Sequence, residues 1–117
     1  MHTERSAEMD RCIEACLNCH EACLEAIPHC LSLGGAHADP DHISTLMDCA
    51  EICRTDADFM MRGSAFHHEI CSACAWVCDA CAKSCDALAA DRQMQLCADQ
   101  CRRCADLCRE MAKARTH

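Results

Sequence analysis

Residues Cys71 to Cys85 read CSACAWVCDACAKSC, which sets cysteines at 71, 74, 78, 81 and 85 in steps of three, four, three and four. Alternation of three and four is the a/d spacing of a helix packed in a bundle, since about 3.6 residues per turn return a side chain to the same face after three or four positions. The thiols of this stretch therefore share one narrow stripe. Trp76 lies nearly opposite them, between Glu69, Ser72, Asp79 and Lys83.

The same word recurs on both sides. Upstream it is Cys12, Cys16, Cys19 and Cys23, with Cys30 a heptad later; Cys49 and Cys53 form a shorter version; Cys97, Cys101, Cys104 and Cys108 repeat the C-x3-C-x2-C-x3-C of the first segment in the same phase. Gly34-Gly35 with Pro40, Gly63-Ser64, and Leu88 to Asp91 punctuate the chain into four segments. These run from about Glu4 to Leu33, from Asp41 to Arg62 behind an Asp39 cap and Pro40 at the first helical position, from a Ser64 cap to Leu88, and from Arg92 to Ala114 behind an Asp91 cap. Each is rich in Ala, Glu, Lys, Arg, Met and Leu and poor in β-branched residues, so each reads as a helix. Pro28 is the internal conflict and predicts a kink or an early end near Ile27. The expected fold is all-α, an antiparallel four-helix bundle with an inward-facing cysteine-lined core, forming one domain over residues 1–117.

Composition sharpens the problem. The chain has 117 residues, and 16 are cysteine. Leu, Ile, Val and Phe together supply only 16 more, too few to offset chain entropy by ordinary apolar burial. Either the cysteines are the core or there is none. A formal charge of -8, with no Lys/Arg cluster, excludes nucleic acid as a partner, and the three aromatics Phe59, Phe66 and Trp76 offer no base-stacking platform. No run approaches the roughly 18 apolar residues of a membrane span. The N-terminal Met1-His2-Thr3-Glu4-Arg5 has no apolar export segment, so a cytoplasmic location is expected, and abundant cysteine there points to metal or redox chemistry ahead of disulfides.

One or two buried cysteines are ordinarily small hydrophobes. A whole core of them is under-filled, because burial contributes only about 25 cal/mol per Å2 and a bundle needs Leu-sized side chains at a and d. Thiolates instead recruit soft metals. Zinc asks for four ligands converging tetrahedrally, usually from turns, and iron-sulfur clusters use loop runs such as C-x2-C-x2-C-x3-C-P, which are missing here. Cu(I) prefers thiolate and accepts two or three ligands. Seven C-x3-C pairs, with Cβ atoms about 5 to 6 Å apart on a helix, each suit a two-coordinate ion, and four C-x2-C steps let thiolates bridge neighbouring ions.

At these words the sequence resembles the four-helix-bundle bacterial copper storage proteins, specifically the cytosolic branch without an export signal. The resemblance spans essentially the whole chain. It implies Cu(I) as cargo, many ions per chain, held in the bundle lumen by cysteine thiolates with His and Met near the ends, and assembly as a homotetramer. Segment two departs from the richest pattern, with Asp56 and Met60 on the stripe where cysteines would continue.

Carrying the stripes past the cysteines brings Met9, Met60, His67 and Met111 to one end, a candidate relay for metal uptake, although methionine is also common core filler. Met94 also falls near the seam. His42 falls on the seam at the opposite end among Leu33, Ile43, Leu46 and Leu88, which read as a hydrophobic plug. His2, His37 and His117 are expected in solvent. Ile13, Leu17, Leu24 and Leu31 project about 100 to 140° from the thiol stripe and predict an interface between copies. The competing reading is a disulfide-stapled helical protein without stored metal. An enzyme is not expected: no strand supports a thioredoxin-like C-x-x-C, and no Ser/His/Asp order suggests a triad.

Overall fold

The computed structural model describes residues 5–113. Four helices, α1 (Ala7–Leu33), α2 (Pro40–Met61), α3 (His67–Asp86) and α4 (Arg92–Lys113), form a rod of 51 × 21 × 20 Å. Helix α1 packs on α2 and α4, and α3 packs on the same two, so the four stand in a ring. Contacts of rising with falling residue number, Cys12 with Cys108 and Cys23 with Cys97, or Cys19 with Cys49 and Cys30 with His42, make the neighbours antiparallel. The antiparallel bundle is as expected, and among the described residues no helix is long and apolar enough to cross a membrane.

Local chemistry sets the helix limits. Ser6 Oγ accepts the Met9 N–H at 3.0 Å, and Glu8 and Asp10 oppose the positive end of the α1 dipole. Asp39 caps α2 by accepting the Asp41 N–H at 2.9 Å, with Pro40 at the first position as expected. Asp91 Oδ1 accepts the Gln93 and Met94 N–H groups at the start of α4. Gly34 closes α1 at φ 71°, a left-handed conformation in which its N–H reaches the Cys30 carbonyl.

Several sequence expectations are corrected. Helix α1 does not end near Ile27 but continues through Pro28 to Leu33, because its buried face extends one further turn to Cys30. Ser64 does not cap α3 directly: its hydroxyl accepts the Phe66 N–H in a preceding turn, and the helix begins at His67 and ends at Asp86 rather than Leu88. The 34–39 connection contains a 3-10 turn, Gly35–Ala38, that the sequence did not announce. His37 on that turn is not simply solvated, since its Nε2 lies 3.0 Å from Asp91 Oδ2, the oxygen that also meets His29 Nε2 at 2.7 Å. This carboxylate ties α1, the turn and α4 together, and the His29 contact, then its own capped N–H groups and His37, hold it down at about 2. Leu33 is exposed and so is no part of the plug, whereas Leu46 is fully buried and Ile43 and Leu88 pack on the core. The Glu4 and Ala114 helix limits, and His2 and His117, lie outside the described residues.

The core is cysteine and alanine. All 16 cysteines are at most 2% exposed, interleaved with buried Ala15, Ala26, Ala50, Ala57, Ala75, Ala82, Ala98 and Ala105. Alanine at these positions lets the helices approach closely around small thiols. Leu46, Met60 and Met94 are the largest apolar side chains completely enclosed.

Candidate metal centre

The thiol stripes converge into one axial column. At the end where α1 begins and α4 finishes, Cys12 and Cys16 Sγ each lie 3.7 Å from Cys108, and Cys104 lies 3.6 Å from Cys16. At mid-height Cys53 is 3.8 Å from Cys74, 3.5 Å from Cys78 and 3.8 Å from Cys104. Cys19 meets Cys49 and Cys101 at 3.7 Å, and Cys23 meets Cys81 and Cys97 at 3.9 Å further along. All sixteen are free thiols, and these separations are far above the roughly 2.05 Å of a disulfide.

The sulfurs fall into groups in which every member is within 4.8 Å of the others: Cys16, Cys74, Cys104 and Cys108; Cys19, Cys53, Cys78 and Cys104; Cys19, Cys23, Cys49 and Cys101; and Cys12, Cys71 and Cys108. Cys104, Cys19 and Cys108 each belong to two groups, so one sulfur serves two neighbouring sites. The sequence expectation of ions bracketed by i, i+4 pairs on single helices is thereby reshaped. Most close contacts cross between helices: of the Sγ–Sγ approaches within 4.0 Å among the described residues, only Cys74 with Cys78 and Cys104 with Cys108 join residues of one helix. Three donors at about 2.1 to 2.3 Å from a shared ion sit roughly 3.6 to 4.0 Å apart, the spacing found here. The column is built for several soft ions that share bridging thiolates.

Asp56 replaces a cysteine on the α2 stripe and is fully buried. Its Oδ1 accepts from Cys71 at 3.2 Å, and its Oδ2 from Cys108 at 3.3 Å and Cys16 at 3.6 Å. Burial pushes its carboxyl up to about 7 against these hydrogen bonds. The sequence placed Asp56 on the stripe; that three thiols from three helices would point at it required the third dimension. Burial also pushes the Cys30 thiol up.

Beyond Asp56 toward the start of α1, Met60 is fully buried with Sδ 3.9 Å from Cys71 Sγ, Met111 is 6% exposed one turn past Cys108, and Met9 packs on the core one turn before Cys12. His67 is half-buried at the start of α3; its Nδ1 lies 2.9 Å from the Ser64 carbonyl, so Nδ1 carries the proton and Nε2 the lone pair. At the far end, His42 is 5% exposed, and burial lowers its pKa.

A ring of antiparallel helices around a continuous column of unpaired, overlapping thiol sites defines a protein that takes up many soft metal ions rather than one. The copper storage protein family model matches residues 5–113, and the chain belongs to that family. Its backbone superposes on the Nmul_A1745 protein of Nitrosospira multiformis with a TM-score of 0.86 at 44% identity, covering 92% of this chain and 97% of that one. A cytosolic copper storage protein from Streptomyces lividans, in a copper-loading structure with five coppers, gives a TM-score of 0.85 at 35% identity over 93% of this chain and 95% of that one. Cysteine-rich YhjQ of Bacillus subtilis strain 168, itself uncharacterised, is 38% identical over 66 residues, 56% of this chain; the match spans 61% of that relative's length.

Proposed function

We propose that this chain stores Cu(I) as cargo, many ions per chain, in the lumen of its bundle. The observation that carries the reading is the sharing of Cys19, Cys104 and Cys108 between adjacent thiol groups, which suits bridged monovalent ions and serves no purpose in a single-ion chaperone. The ligands are Cys12, Cys16, Cys19, Cys23, Cys30, Cys49, Cys53, Cys71, Cys74, Cys78, Cys81, Cys85, Cys97, Cys101, Cys104 and Cys108. Each Cu(I) that replaces a thiol proton leaves the local charge unchanged, so a filled lumen avoids the cost of burying unpaired charge. Met9, Met60, His67 and Met111 form the uptake relay, offering thioethers and an imidazole where an arriving ion first meets the column. Residues 1–117 act as a single storage domain in the cytosol, where the Streptomyces lividans relative is placed by its description, and assemble as a homotetramer, as the family resemblance suggests.

Titration of reduced, metal-free protein with Cu(I) against a competing chelator tests the reading. Binding should continue toward one ion per cysteine, that is, toward 16. A plateau at about four ions or fewer, the capacity of isolated tetrahedral thiolate sites, would refute storage. The disulfide-stapled alternative predicts few free thiols in the oxidised protein and no such capacity.

A further inference from the structure

A groove on the seam between α1 and α4 reaches the thiol column from the side. Its volume is about 500 Å3, within the roughly 300 to 1,000 Å3 of small-molecule sites, and its lining includes Ala22 and Glu25 of α1 with Arg92, Gln93, Cys97 and Gln100 of α4. Gln93, Cys97 and Gln100 follow one another at steps of four and three residues, so one face of α4 carries all three. Gln93 Nε2 spans the seam by donating to the Glu25 carbonyl at 3.4 Å. Ala22, with no side chain beyond Cβ, leaves the space beside Cys97 open. Of the sixteen cysteines, Cys97 is the one with measurable exposure, 2%.

Three polar groups around this thiol do not hold the fold together. Gln100 Oε1 is buried and has no hydrogen-bond partner among the described residues, a state that costs free energy until a donor reaches it. Arg92 and Glu25 carry opposite charges, and neither has an ion-pair partner among the described residues. The groove thus offers a cation, an anion and a hydrogen-bond acceptor beside one sulfur. A molecule complementary to all four carries a carboxylate, an ammonium, an amide N–H and a thiol, which describes a small peptide thiol.

We propose that this groove docks a small peptide thiol that withdraws Cu(I) from the column through Cys97, making it a lateral exit from the store. The inference rests on the copper-storage reading and adds to it a ligand and a route out. Arg92 takes the carboxylate, Glu25 the ammonium, and Gln100 Oε1 the amide N–H, which sets the incoming sulfur beside Cys97. Cu(I) accepts two or three thiolates, so the incoming sulfur joins the ion before the outgoing one leaves. The exchange balances: the Cu–S bond to Cys97 breaks, one to the peptide thiol forms, the proton of that thiol passes to the Cys97 sulfur, and no electron is transferred. Cys97 is refilled from Cys23, 3.9 Å away, which shares a thiol group with Cys19, Cys49 and Cys101. Leu24 and Leu31 project about 160 to 180° around α1 from Ala22, at 100° per residue, so association through those leucines leaves the groove open.

The test is release of copper from the loaded full chain, challenged with glutathione or with 2-mercaptoethanol and followed with a chromogenic Cu(I) chelator. Release driven by glutathione should saturate with concentration, whereas 2-mercaptoethanol, which has neither charge nor amide, should drive it in linear proportion. Arg92→Glu should slow release at subsaturating glutathione about fivefold, with the 2-mercaptoethanol rate and the copper capacity unchanged. Glutamate at the first position of α4 suits the helix dipole, so this variant keeps the fold. Ala22→Leu, which fills the groove, should slow release by both thiols. A linear dependence on glutathione, or wild-type release by glutathione from either variant at full capacity, overturns the groove as the exit and leaves storage standing. Wild-type protein that takes up about four ions or fewer overturns storage itself.

Discussion

Asp56 Oδ1 lies 3.2 Å from Cys71 Sγ, across the α2–α3 interface and wholly out of solvent. Because burial raises this carboxyl to about 7, the folded apo protein binds its proton more tightly than the unfolded chain, in which an aspartate titrates near 3.8. Its contribution to stability is complete below about pH 4 and is lost as pH rises through about 7, with a limiting slope of about 1.4 kcal/mol per pH unit between the two. Metal-free wild type should therefore lose melting temperature between pH 4 and pH 7 relative to Asp56→Asn, which cannot ionise. Parallel curves for the two proteins would show that Asp56 ionises freely in the fold.

Copper loading should acidify a weakly buffered solution. Burial favours neutral thiols, as at Cys30, and a thiol must ionise to bind, so early additions should release about one proton per ion. A pH-stat titration measures this directly. Loading without proton release would mean that the apo column already holds thiolates.

The stripe in Cys71 to Cys85 made the bundle legible in the sequence because a helix repeats its face every three or four residues, and sixteen cysteines in that phase admit one packing. The site was legible to the same depth: which face each thiol shares, but not which sulfurs meet. Cys16 joins Cys74, Cys104 and Cys108 through the relative height of three helices, which depends on loop geometry that spacing does not encode. The meeting of His29, His37 and Asp91 was not legible for a related reason, although the sequence marked Asp91 as a cap and put His37 in solvent. They are brought together by the turn after Gly34, and no periodicity connects a loop histidine to the cap of a helix more than fifty residues away. His42 was read as part of an apolar plug because its sequence neighbours are apolar; its polar partners Ser84 and Cys30 come from other helices.

If the end bearing Met9, Met60, His67 and Met111 admits copper, then His67→Leu with Met111→Leu should slow the loading phase in a stopped-flow experiment while leaving final capacity nearly unchanged. The cysteine column is intact in this variant, and both replacements keep the end apolar enough to pack. Reduced capacity at an unchanged rate would place these residues inside the store. Unchanged rate and capacity would reduce them to packing.

The exposed part of the α1 apolar stripe is narrower than its spacing suggested. Ile13 is only 8% exposed and Leu17 is half-buried on the core, so both belong to the bundle, whereas Leu24 and Leu31 are 48% and 55% exposed and lie two turns apart on one face. Trp76 on α3 is 82% exposed, a large apolar side chain with nothing in its own bundle to cover it. Single exposed apolar residues need no explanation, but an exposed tryptophan and a leucine pair on one small rod are the kind of surface that association buries. Sedimentation of the metal-free protein at low micromolar concentration should show a species larger than 12.9 kDa. Leu24→Glu with Leu31→Glu should dissociate it, and because neither side chain enters the thiol column, copper capacity per chain should be retained. Leu17 is a poorer probe, since a charge there would also disturb the core. A monomeric wild type under these conditions would refute the interface, and a dissociated variant that also lost copper would show that assembly holds the column together.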